Sequence, residues 1–195
     1  MTYKIIGVGT NAKTVKGDGS EYLTAITYHK PWKTIFEGKV HNLCAMAETA
    51  SCHAGCLYSA GRGQMTNVQT ARLRKTQLWI KDRQAYLDLL REDLKIFQRR
   101  CENNNVQACY RPNGTSDIPW ENYGIIDEFP DIQFYDYTKI IKRAYKKLPK
   151  NYHLTLSYSE ANRQYADDVM KAVCETGTSM AVVFRDEENI PDYFE

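Results

Sequence analysis

IQFYDYTKIIKRAYKKLPKNYHLTLSYSE, residues 132–160, decides the fold class. Ile132-Gln133-Phe134-Tyr135 has the β-branched and aromatic content of a strand. It leaves through the polar run Asp136-Tyr137-Thr138-Lys139 into a helical pattern over 140–148. A second strand spans 152–156 and leaves through Ser157-Tyr158-Ser159-Glu160 into another helix. That helix ends near Glu175-Thr176-Gly177, where glycine suits the left-handed position after a C-terminus. A further strand, 180–184, is followed by Arg185-Asp186-Glu187. Strands alternating with helices predict right-handed crossovers and an α/β fold, either a partial (β/α) barrel or an open, mainly parallel sheet. Ligands in both architectures sit beyond the carboxyl ends of the strands.

Working back from that unit, 106–111 is a strand leaving through Pro112-Asn113-Gly114-Thr115-Ser116-Asp117, and YLTAITYH, residues 22–29, is a strand stopped by Lys30-Pro31. Thr66-Asn67-Val68-Gln69 has the form of a capping box and opens a long helical region to about residue 100, broken near Lys81-Asp82-Arg83. Leu87, Leu90, Leu94 and Phe97 mark its buried face, and Glu102-Asn103-Asn104-Asn105 ends it. Residues 1–20 show no helical period and read as an irregular arm or short hairpin. Gly7-Val8-Gly9 is too short for a dinucleotide fingerprint.

A chain of 195 residues suits one domain, 1–195, with a sizeable core. A net charge of +2 gives no overall bias toward nucleic acid or anionic membrane. No apolar run reaches the roughly 20 residues of a bilayer span, and the first residues lack a signal-peptide pattern, so the expectation is a cytoplasmic protein without membrane association. In that reducing setting six cysteines point to metal or redox chemistry rather than a disulfide framework.

Those cysteines are concentrated in HNLCAMAETASCHAGCLYSAGRG, residues 41–63, where Cys44, Cys52 and Cys56 are spaced C-x7-C-x3-C. One loop can fold three thiolates around a single centre. The set suits a [4Fe–4S] cluster with one open iron, or zinc completed by His41 or His53, with ordinary reduced loop cysteines as the competing view. Cys101, Cys109 and Cys174 are scattered and read as small core residues.

The polar strand exits should face the same pocket. Asn113, Ser116 and Asp117 are candidates for ligand binding, with a simple turn as the competing view. Asp136 and Lys139 are placed to hold a polar ligand, unless Asp136 or Thr138 caps the next helix. Ser157, Ser159 and Glu160 suit an amine or ribose, or else Ser159 is an N-cap with Glu160 in the first turn. Arg62 suits an anion, or is a solvated loop residue. The run Lys139, Lys142, Arg143, Lys146, Lys147 and Lys150 lays cations along the 140–148 helix. It is a solvated face or a contact for nucleic acid or a host protein. No Ser/His/Asp or Cys/His constellation is visible around His29 or His153, and no P-loop occurs.

At Cys52 the segment CHAGCLYS resembles the radical S-adenosylmethionine (SAM) motif C-x3-C-x-aromatic-C, with Cys52, Cys56 and Tyr58 in register and Ser59 in place of the third cysteine. The resemblance implies a radical-SAM-like partial barrel, with Cys44 supplying the third thiolate and SAM bound at the open iron. The blocks CHAGCLYSAGRG, NVQTAR, NGTSDIPWE, FPDIQFYDYTK, NYHLTLSYSE and AVVF together resemble the gene product 88-like family of phage and mobile-element proteins. That resemblance implies phage origin, and hence a host cytoplasm, without naming an activity.

The leading expectation is an iron–sulfur protein acting as a radical-SAM-like enzyme on a small molecule or nucleotide. The alternative is a non-enzymatic zinc-stabilised module that binds a host protein or nucleic acid.

Overall fold

The structure is a computed structural model that describes residues 4–9, 21–53, 56, 61–184, 188 and 190–191. Its frame is one six-stranded sheet. In chain order the strands are β1 (Gly7–Val8), β2 (Tyr22–Ile26), the separate hairpin β3 (Lys33–Phe36) and β4 (Lys39–Asn42), β5 (Gln107–Arg111), β6 (Ile132–Thr138), β7 (Tyr152–Ser157) and β8 (Ser179–Ala181). The sheet runs β1-β2-β5-β6-β7-β8. β1 is antiparallel to β2, and every other pairing in it is parallel. This is an open, mainly parallel sheet in a mixed α/β single domain. Among the described residues no pairing joins β1 to β8, so no barrel closes.

The parallel strands follow one another in chain order without reversal, so the connections leave no topological switch point. Burial shows the result. Ala25, Ala108, Tyr110, Ile132, Phe134, Tyr152 and Leu154 point to one face, where they meet Leu87, Leu90, Leu94, Phe97 and Cys101. Those five lie on one stripe of α2 (Arg83–Asn103), and each large apolar side chain buried there contributes about 1.5–3 kcal/mol. Leu156 on the same face packs against Tyr165, Val169 and Ala172 of α3 (Arg163–Thr176).

α1 (Thr66–Lys81) starts where the capping box places it. Its cap differs: Met65 is the N-cap residue, and Gln69 Nε2 donates to the Gly63 carbonyl at 2.6 Å. Asp82 separates the two helices and caps α2, accepting from the Ala85 N–H. The left-handed Gly177 closes α3, with φ 68°. None of the described helices is long and apolar enough to cross a membrane.

Three expectations are corrected. Residues 140–148 form no α-helix, only a 3-10 turn at Ile141–Arg143. The nine residues 140–148 before Pro149 are too few to form a helix unaided, and Arg143 is turned inward to Asp117, Glu121 and Tyr152 instead. The N-terminal stretch is not wholly irregular: Ile5 and Ile6 are buried and β1 adds an edge strand. The cysteine loop is shorter than 41–63, because His41 and Asn42 belong to β4 and residues 61–63 to a 3-10 turn. Tyr58, Ser59 and Arg185-Asp186-Glu187 lie outside the described residues.

Candidate functional site

Beyond the carboxyl ends of β2, β5, β6 and β7 lies a cavity of about 320 Å³, lined by Cys44, Cys52 and Cys56 together with Ser116, Asp117, Lys139 and Ser157. The loop that carries the cysteines is held from both sides. On one side the Asp117 N–H donates to the Leu43 carbonyl at 2.7 Å, and Cys44 Sγ donates to the Thr115 carbonyl at 3.7 Å. On the other, Ala50 is fully buried against the α3 core. There Ser159 Oγ donates to the Ala50 carbonyl at 2.7 Å and Asn162 Nδ2 to that of Thr49 at 2.9 Å. Between these anchors the chain turns tightly, with the Ala47 N–H on the Cys44 carbonyl and the His53 N–H on the Ala47 carbonyl.

Two non-glycine residues in this turn system adopt positive φ, Trp32 at 56° and Ser51 at 53°. Such conformations cost about 1–3 kcal/mol each and persist where the surroundings impose them. Both flank the thiols: the Trp32 N–H faces Cys44, and Ser51 immediately precedes Cys52.

Burial pushes the Cys44 thiol up to about 12, and Asp117, Cys56 and Cys52 push the same way while the Trp32 N–H opposes them. Cys52 is raised by burial as well, and the Lys139 ammonium counteracts this. Lys139 in turn is lowered by its own burial and supported by Cys52 and Asp117. The other thiols thus lie near enough to Cys44 and Cys52 to resist their ionisation, which is the electrostatic condition a bound cation relieves.

His53 Nδ1 lies 3.1 Å from the Ala47 carbonyl oxygen, an acceptor only, so the ring proton sits on Nδ1 and Nε2 keeps its lone pair. That is the arrangement of a metal-binding imidazole. The ring also packs on Trp32, with centroids 5.0 Å apart. His41 does not line the cavity. Among the described residues no three His, Cys, Asp or Glu side chains are gathered to metal-binding distance. The donor chemistry fits a thiophilic metal or cluster; the distances would require the loop to draw in.

Behind the cavity the polar side chains bind one another. Asn113 Oδ1 accepts from Ser116 Oγ, the Ile118 N–H and Trp120 Nε1, and its Nδ2 donates to Asp136 Oδ2 at 2.6 Å. With the Ser116 proton committed to Asn113, His29 donates from Nδ1 to Ser116 Oγ and accepts from Tyr86 OH at Nε2. His29 is therefore not a base for Ser116, and burial lowers its pKa to about 3. Burial raises Asp136 to about 7, against the pull of Arg143 and Arg111. Asp117 accepts from Thr138 Oγ1, the Lys139 N–H and Arg143 Nη1. Arg143 keeps its charge despite burial because Tyr152, Glu121 and Asp117 hold it.

Of the residues expected from sequence, Cys44, Cys52, Cys56, Ser116, Asp117, Lys139 and Ser157 converge on the cavity. Asn113 and Asp136 stand behind it with their hydrogen-bonding capacity used internally; Asp136 is a strand residue facing the core, not an exit residue. Ser159 holds the loop and is not the N-cap, which is Asn162. Glu160 and Arg62 are exposed and do not line the cavity. The basic run disperses: Lys139 enters the cavity, Arg143 is buried, Lys142 and Lys146 face a second cleft, and Lys150 lies near Tyr135 and His153. Cys101 and Cys109 are buried as expected, while Cys174 is exposed.

Sequence reasoning treated Lys30 and Pro31 only as a strand stop. They follow the carboxyl end of β2, and the edge rule applied to the later strands would have placed them at the cavity.

Sheet and crossovers define a single-domain mixed α/β protein with a cysteine-lined cavity at the strand ends. The chain matches the family described as Gene product 88 over residues 5–195 and belongs to that family. This supports the phage-type resemblance; the likeness to radical SAM proteins has no comparable support. No curated protein and no solved structure matches the chain.

Proposed function

We propose that Cys44, Cys52 and Cys56 hold an iron–sulfur cluster of the [4Fe–4S] type and that the adjoining cavity binds a small polar molecule, with SAM as the first candidate. The observation that carries this is the convergence of three soft donors from one loop on a cavity at the strand ends, where no carboxylate competes except Asp117, already bound to Arg143. When bound, such a cluster supplies a one-electron couple and, with three protein thiolates, an iron open to a ligand.

The protein's own groups then have separate tasks. Lys139 offsets thiolate charge at Cys52 and presents an ammonium to the cavity. Ser157 and Thr115 border the same space with polar groups, and Trp32 supplies an aromatic wall. Ser159 and Asn162 hold the loop against α3 so that the thiols have a fixed backing.

A second possibility has its own observation. The His53 tautomer suits a fourth ligand, which would give a Cys3His zinc site in a non-enzymatic binding module. Anaerobic reconstitution with ferrous iron and sulfide, followed by titration with SAM, separates the two. A cluster absorption that is lost in Cys44→Ser, Cys52→Ser and Cys56→Ser, and perturbed by SAM in the parent, supports the enzyme. Zinc uptake dependent on His53, with no cluster and no response to SAM, supports the module.

A further inference from the structure

The second face of the sheet carries side chains unlike those of the core. Because residues alternate along a strand, the partners of inward-facing Tyr110, Phe134 and Leu154 put Arg111, Tyr135, Tyr137 and His153 on the opposite side. Among the described residues, no helix packs on this face and no strand position pointing to it is Asp or Glu. Tyr22 is 55% exposed and Tyr137 39% exposed, although Ile26 and Cys109 on the same face are buried. The Arg111 guanidinium lies 4.6 Å over the Tyr137 ring, and its Nε is buried without a hydrogen-bond partner. At the other end of the face, a shallow depression is lined by Gln133, Tyr135, Lys150 and His153.

We propose that this face binds single-stranded nucleic acid, with bases stacking on Tyr135 and Tyr137 and phosphates taken by Arg111 and Lys150. The chemistry matches what an unpaired strand offers. Flat rings meet bases, and described strand positions free of carboxylates, with cations at both ends, meet a polyanion; His153 and the Gln133 side-chain oxygen, whose Nε2 already donates to the Phe134 and Asn151 carbonyls, offer hydrogen bonds to base edges. Tyr135 and Tyr137 are two positions apart on β6, hence about 6.5 Å apart. That is roughly twice the 3.4 Å step of a stacked strand, so the platform favours bases drawn apart over a duplex. Tyr135 is paired across to His153, widening the platform onto β7. Tyr137 also borders the thiol cavity, so a strand lying along β6 leads to its mouth. The proposal is independent of what the thiols bind.

The test is fluorescence anisotropy with a labelled oligothymidylate of about twelve nucleotides, with a duplex of the same length as comparison. Binding of the single strand in preference to the duplex is expected. Tyr135→Ala and Tyr137→Ala should each weaken it about fivefold or more, and Tyr135→Phe and Tyr137→Phe should leave it near the parent value. Lys150→Ala should reduce the salt slope by about 0.7. Circular dichroism on the same variants separates lost binding from lost folding, and exposed Tyr22→Ala, a third ring on the face, should weaken binding as well. No binding by the parent at low salt, or binding that ignores both tyrosine truncations and prefers the duplex, would overturn the proposal.

Discussion

Ser159 Oγ donates to the Ala50 carbonyl oxygen at 2.7 Å, joining the exit of β7 to the turn that carries Cys52. The two residues are 109 positions apart, so this bond fixes a long-range relationship and not a local turn. Ser159→Ala should cost about 1 kcal/mol of global stability and weaken metal uptake more than that, since it frees the loop specifically. Denaturant unfolding with and without metal checks this. Equal losses in both would mean that Ser159 acts on the fold alone.

Asp136 ties stability to pH. Its carboxyl, raised by burial to about 7, binds more protons folded than unfolded between about 4 and 7. Stability should therefore be highest near the lower limit and fall as pH rises to neutrality, by an amount of order 3 kcal/mol from this group. Asp136→Asn should flatten that slope in urea titrations at pH 5 and pH 7.5. An unchanged slope would show that Arg143 and Arg111 keep the carboxylate ionised throughout.

Gly114 is required for space. A Cβ there would lie 2.6 Å from Tyr28 Cδ1 and 2.7 Å from the Thr27 carbonyl oxygen. Gly114→Ala should cost about 1–3 kcal/mol through overpacking and displace the 113–117 turn that backs Cys44. A melting temperature equal to the parent's would mean that Tyr28 and the backbone both give way freely.

Asp93 anchors the N-terminal segment: one carboxylate oxygen accepts from the N–H groups of Lys4, Ile5 and Ile6. Asp93→Asn should cost about 1.5–3 kcal/mol and raise hydrogen exchange at Ile5 and Ile6 well beyond the global effect. Uniform exchange rates across the sheet would contradict a local anchoring role.

β2, β5, β6 and β7 could be read from residue pattern because each combines β-branched or aromatic residues with a polar exit, and the edge rule then brought the thiols and Lys139 to one pocket; β8 falls at Ser179–Ala181, ahead of the Val182-Val183-Phe184 run that marked the expected 180–184 strand. The β3–β4 hairpin escaped notice because its turn is Glu37-Gly38, with positive φ at both residues, where glutamate gives no turn signal. The 140–148 helix was misjudged because the spacing of its lysines suggests a solvated face. The pull of Asp117 and Glu121 on Arg143 comes from residues more than twenty positions away and leaves no local trace. For the same reason Asn113 and Asp136 looked like ligand contacts: each carries the right group, and only the fold shows that they satisfy one another.

The iron, sulfide and zinc content of protein purified without oxygen, compared between the parent and Cys52→Ser, tests the thiol site most directly. Iron and sulfide near four each per chain in the parent, lost in the variant, is the expected result. One zinc per chain without iron, or identical metal content in both proteins, would contradict a cluster at Cys44, Cys52 and Cys56.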